Sequence, residues 1–253
     1  MARSEVSGFR SGNPVLGADT FRDLHADSAR DVMTIRGVID KTAVSLAIVV
    51  LAAAWSWNTA ASNPGLANTL SLVGAIGGFV LAIATSFRRE WAPVTTPVYA
   101  ALEGLLLGAI SRVFDARWPG IVPQAVFLTF STLGAMLLLY RSGAIKVTDG
   151  FRAGLFAATG GIMLFYLVSF VMGMFGHGMP LLHAASPLGI AFSLLVTGVA
   201  ALNLVLDFDL IENGVRAGAP RSMEWYGAFA LLVTLVWLYL EMLRLLSKLQ
   251  DRD

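Results

Sequence analysis

The chain has 253 residues, 56% hydrophobic and only 14% charged, with a net charge of +1 and no cysteine. Soluble domains carry roughly 25% charged residues, so this balance argues against a soluble enzyme, a disordered chain or a nucleic-acid binder, which needs a basic surface. Without cysteine there is no disulfide, zinc–thiolate site, iron–sulfur cluster or thiol nucleophile, and a mean hydropathy of +0.70 points to a membrane domain.

Residues 1–35 read as a polar, mixed-charge arm, partly disordered, carrying Ser11-Gly12-Asn13-Pro14 and the Asp/Arg-rich stretch Asp19–Asp31. No apolar run follows the first arginines, so the arm is not a signal peptide. A bilayer core takes about 20 mostly apolar residues per helix. The uncharged stretch Thr42–Phe87 is too long for one span, and Ser62-Asn63-Pro64-Gly65 is a turn signal inside it. It therefore divides into helix 1 near 37–58 and helix 2 near 66–87, closed by Arg88-Arg89-Glu90. Helix 3 covers 93–111, interrupted only by Glu103, and Arg112, Asp115 and Arg117 make the next loop. Helix 4 runs near 121–140, with Pro119 and Pro123 at its start, where proline is tolerated. Arg141, Lys146, Asp149 and Arg152 form a charged loop. The next uncharged run is broken by Gly176-His177-Gly178-Met179-Pro180 and by Pro187 into helix 5 (153–175) and helix 6 (187–206 and onward). Helix 7 runs from about Ser222 to Leu249. Runs of this length exclude barrel strands, which are about 10 residues long and alternate in polarity. The expectation is an all-α integral membrane protein, a seven-transmembrane-helix bundle over residues 36–250.

Lysine and arginine counts near the helix ends set orientation. The arm, Arg88/Arg89, Arg141/Lys146/Arg152 and Arg216/Arg221 share one side; the 58–66 turn and the 176–187 loop, with none, lie on the other with Arg112/Arg117. The contrast places the N-terminus in the cytoplasm, although Arg244, Lys248 and Arg252 argue against the opposite side for the C-terminus.

Ionisable residues at membrane depth are costly and are functional candidates by default. Asp40 and Lys41, with Arg36 one turn earlier, read as an interfacial ion pair. Glu103 sits mid-helix beside the Gly104/Gly108 GxxxG pair, either as a hydrogen-bonded neutral acid or as a polar lining group. Asp207 and Asp209 end the apolar run of helix 6 about 200° apart on a helical wheel, so helix geometry alone does not aim both at one site. Gly214 is a candidate helix stop. Glu241 lies well inside helix 7, either in a local salt bridge with Arg244 or facing an acid of helix 6. If Glu241 meets Asp209, burial and like charge favour a shared proton; its loss leaves two carboxylates that repel or attract a hard cation such as Ca²⁺. Counting from the helix ends puts Asp209 shallow and Glu241 deeper, an objection to that pairing unless one helix projects beyond the bilayer.

At these residues the chain resembles the Bax-inhibitor (transmembrane Bax-inhibitor-motif, YccA-like) family over residues 32–249. Val205-Leu206-Asp207-Phe208-Asp209-Leu210 resembles the family's helix-6 ending, an apolar run closing on aromatic-Asp. Leu238-Tyr239-Leu240-Glu241, followed by Leu243 and Leu245-Leu246, resembles its last helix, with glutamate in place of aspartate. The resemblance implies helix 7 near the centre of the other six. It also implies an acidic pH-sensing pair at Asp209 and Glu241, and a latching arginine at Arg88 or Arg89. Asp209 is favoured over Asp207 by the Phe208-Asp209 step. The function implied is a pH-sensitive Ca²⁺ leak, with Asp207 and Glu103 as further groups on the path and Ca²⁺ held only transiently by Asp209 and Glu241. Gly12-Asn13-Pro14-Val15-Leu16 resembles a bacterial branch, which implies the inner membrane. Membrane lipid, Ca²⁺ and protons are the expected partners, with no resident cofactor, no nucleic acid and no catalytic step. The alternative is a non-conducting partner that modulates a membrane protease. An intramembrane protease has little support: His177 and His183 lie in a loop, and no His-Glu-x-x-His is present.

Overall fold

The computed structural model describes residues 32–175 and 186–252, so most of the arm and the loop holding His177 and His183 lie outside the described residues. Seven described helices are long and apolar enough to cross a membrane. They are α1 (Ile35–Ser62), α2 (Pro64–Phe87), α3 (Ala92–Arg117), α4 (Ile121–Arg141), α5 (Asp149–Met174), α6 (Pro187–Arg216) and α7 (Met223–Gln250), with a 3₁₀ turn at Arg89–Trp91. Hydroxyl caps fix three starts: Thr34, Thr148 and Ser186 accept from the amides of Gly37, Phe151 and Gly189.

Several boundaries extend past the expected ones. Arg112, Asp115 and Arg117 belong to the last turns of α3 rather than to a loop, and Asp149 and Arg152 to the first turn of α5. Apolar counting stops at the first charge, whereas a helix projecting into the headgroup region has no reason to. The stop of α6 is Gly218, in the left-handed region at φ +69°, with the Gly218 amide donating to Val215 and the Ala219 amide to Gly214. Gly214 itself lies buried inside the helix.

Four helices, α1, α3, α4 and α6, pack along α7. It is the most buried helix, and Tyr226, Phe229, Leu232, Leu238 and Leu243 are fully enclosed. The expected central position of the last helix is met, with α2 outside on α1 and α3, and α5 outside on α6. Glycines set the closest approaches, as small residues do where apolar lipid supplies no driving force for helix association. A Cβ on Gly104 would stand 2.6 Å from the Val49 carbonyl of α1, and one on Gly74 2.6 Å from the Leu102 carbonyl of α3. Ser56 donates to the Leu105 carbonyl at 2.7 Å across the same α1–α3 seam.

The start of α1 is clamped to the start of α7. The Met33 amide donates to the Ala219 carbonyl, and the buried Glu224 carboxylate accepts from the Thr34 amide and hydroxyl at 3.1 and 2.9 Å. Lys41 and Arg221 stand 3.9 Å from the same carboxylate. The expected Asp40 pairing is not formed: Asp40 makes no ion pair among the described residues, and Lys41 lies over Trp225 and toward Glu224 instead.

Candidate functional site

Helices α6 and α7 run antiparallel, joined by a short turn. Their register is fixed by Thr234 donating to Asp207 at 2.6 Å and by Lys248 donating to the Gly189 carbonyl and Ser193 hydroxyl. Asp207 is fully buried. In that register Asp209 lies level with Leu232, and Glu241, nine residues further along α7, is displaced by about 14 Å along the axis. The expected Asp209–Glu241 pair is therefore not formed. The two acids neither share a proton nor converge on one ion, and among the described residues no three His, Asp or Glu side chains cluster as a metal site.

Each acid has a different partner. Asp209 accepts from Arg152 of α5 at 2.7 Å and from Asn213 at 3.2 Å, with the arginine and aspartate side chains 12% and 16% exposed. Glu241 accepts from Tyr166 of α5 at 2.8 Å and from Arg244 at 2.7 Å, and Arg244 also donates to the Tyr166 hydroxyl. The local Glu241–Arg244 bridge is thus present, with α5 added to it. Glu241 Oε2 is buried and accepts no hydrogen bond among the described residues. Between the two acids, Asn203 of α6 donates to Thr159 of α5 at 3.0 Å. Arg152, Thr159 and Tyr166 recur every seven residues, two helical turns, and so form one stripe of α5. That stripe holds α6 and α7 at three depths through polar contacts.

The latch is placed differently from the expectation. Arg88 stacks near Trp91 at 5.7 Å and Arg89 over Tyr226 at 6.0 Å, and neither bonds to Asp209. The arginine that bonds Asp209 is Arg152 of α5. It was legible only as a charged-loop residue; the available signal was a lone arginine one turn into a helix, level with the acids ending α6. Glu103 is buried in α3, its Oε1 set against Gly78 of α2, where a Cβ would lie 2.8 Å away. No hydrogen bond or ion pair joins it to Asp207, Asp209 or Glu241.

The fold and these contacts define a multi-pass helical membrane protein with ionisable groups buried along one helix seam. The family model described as Bax inhibitor 1 like matches residues 13–251, and the chain belongs to that family. Neither the curated proteins nor the solved structures contain a match to the chain.

Proposed function

We propose that the protein is a pH-sensitive cation leak, with Ca²⁺ as the favoured ion, whose α6–α7 seam is held closed by α5. The observation that carries this reading is the α5 stripe: Arg152 and Tyr166 grip carboxylates on α6 and α7 at opposite ends of the seam. Asp209, Asp207 and Glu241 then set carboxylates at successive depths, hard oxygen ligands suited to a passing Ca²⁺. The closed state needs Asp209 charged, because a neutral carboxyl loses its attraction to Arg152. Acidification therefore releases the latch, and flux rises as pH falls. No covalent step is involved. The basic ends of α1, α2, α4, α5 and α6 favour the cytoplasm for the N-terminal face, and the arm's resemblance to a bacterial branch favours the bacterial inner membrane.

The test is Ca²⁺ entry into vesicles holding the purified chain, scanned from about pH 5 to 8, the range over which buried carboxyls titrate. Wild-type flux should rise toward acid. Asp209→Asn should remove the pH response, and Glu241→Gln, which leaves the Arg152–Asp209 pair in place, should keep it. No flux above empty vesicles at any pH would overturn the leak and favour a membrane partner that modulates a protease.

A further inference from the structure

Helices α1 and α4 both pack on α3 and α7, and a cleft of about 310 Å³ remains between them. Its walls are almost wholly apolar, built from Val50, Ala54, Trp57, Val126, Phe130 and Leu235 among others. The hydroxyls that reach it are spent inside the protein: Ser111 and Tyr239 bond to each other at 2.6 Å, and Thr129 donates to the Ala125 carbonyl. Nothing on the wall asks for a polar ligand.

The shape of the cleft is more specific than its polarity. Along α1 its lining runs from Leu46 to Trp57, eleven helical rises or about 17 Å. That is close to one leaflet, half of the roughly 30 Å hydrocarbon core. One end is near the middle of α1; the other approaches the α1–α2 turn, with Trp57 five residues from the end of α1, the part of a span where interfacial tryptophans are enriched. At that end the Arg112 guanidinium lies 5.6 Å from the Trp57 ring centroid. Arg112 makes no ion pair among the described residues, whereas Arg117, five residues on, is 3.8 Å from Asp251. An apolar slot one leaflet long, ending at a cation with no ion pair among the described residues, matches a phospholipid in both length and charge.

We propose that the α1–α4 cleft is a binding site for one glycerophospholipid of the leaflet on the α1–α2 turn side. One acyl chain lies along α1, and the phosphate rests on Arg112. The site goes beyond the leak reading and does not depend on it. Through Leu232, Leu235 and Val236 the bound chain touches α7 directly, so lipid shape bears on the central helix.

The test uses the full chain in phosphatidylcholine vesicles doped with a phospholipid whose acyl chain carries a photoactivatable diazirine, the crosslinked residues being mapped after irradiation. Labelling should concentrate on 46–57 and 122–130, roughly tenfold above the equally lipid-exposed face of α5. A54F with V126F, checked for unchanged helicity and elution, should return it to the α5 level. Arg112→Gln, at the rim, should lower it several-fold and Arg112→Lys should restore most of it. Uniform labelling of all lipid-facing helices would overturn the site. Equal labelling by a diacylglycerol probe, which lacks the phosphate, would overturn the role of Arg112 and with it the phospholipid assignment.

Discussion

Arg152→Gln is expected to raise Ca²⁺ entry at neutral pH by about tenfold and to flatten its response to acid. The wild-type pair is short, at 2.7 Å, and largely shielded from water. A charge-assisted hydrogen bond of this kind contributes about 1.5–3 kcal/mol, and each 1.4 kcal/mol shifts a closed–open balance tenfold. The sign follows from which state the pair supports. In the proposed closed state a charged Asp209 holds Arg152. On that reading, acid that neutralises Asp209 releases the arginine. The glutamine variant has no attraction left to lose, so its flux is already high and changes little with pH. Asp209→Asn should behave alike from the other side of the bond. If Arg152→Gln leaks no more than wild type at neutral pH, while wild type still responds to acid, the latch is elsewhere.

Gly108→Leu is expected to destabilise the protein by about 3 kcal/mol, at the upper end of overpacking costs. A Cβ at Gly108 would run into the Ala53 backbone of α1, with Ala53 Cα only 2.8 Å away. Backbone cannot step aside as a side-chain tip can, so α1 and α3 must separate, taking the Ser56–Leu105 hydrogen bond with them. Gly134→Leu on α4 is the matched control, since nothing stands within 4 Å of a Cβ there. Thermal unfolding in detergent should show a large loss for the first variant and none for the second.

The seven spans were legible because each apolar run is near bilayer length and is punctuated by glycine, proline or charge. The GxxxG reading of Gly104 and Gly108 was legible for a similar reason, since it depends only on residue size at a four-residue spacing. Partner identity was not legible. The Asp209–Glu241 pairing came from resemblance, against the count from the helix ends. The short turn through Gly218 settles it: two antiparallel helices joined tightly pair residues at equal distances from the turn, and these two acids are not at equal distances. Arg152 was hidden because a one-dimensional charge count assigns it to a loop, while capping by Thr148 draws it into the first turn of α5.

The α5 stripe has a mechanical consequence. In a bilayer a helix gains little apolar free energy by resting on protein rather than on lipid tails, so polar contacts weigh heavily in its attachment. The stripe of α5 supplies one near each end and one between. The outer two engage carboxylates, whereas the Asn203–Thr159 contact joins an amide to a hydroxyl and carries no charge. On the proposed leak reading, a change of charge at the Arg152–Asp209 end would leave the Thr159 contact in place, so α5 would rock about Thr159 rather than withdraw as a plug.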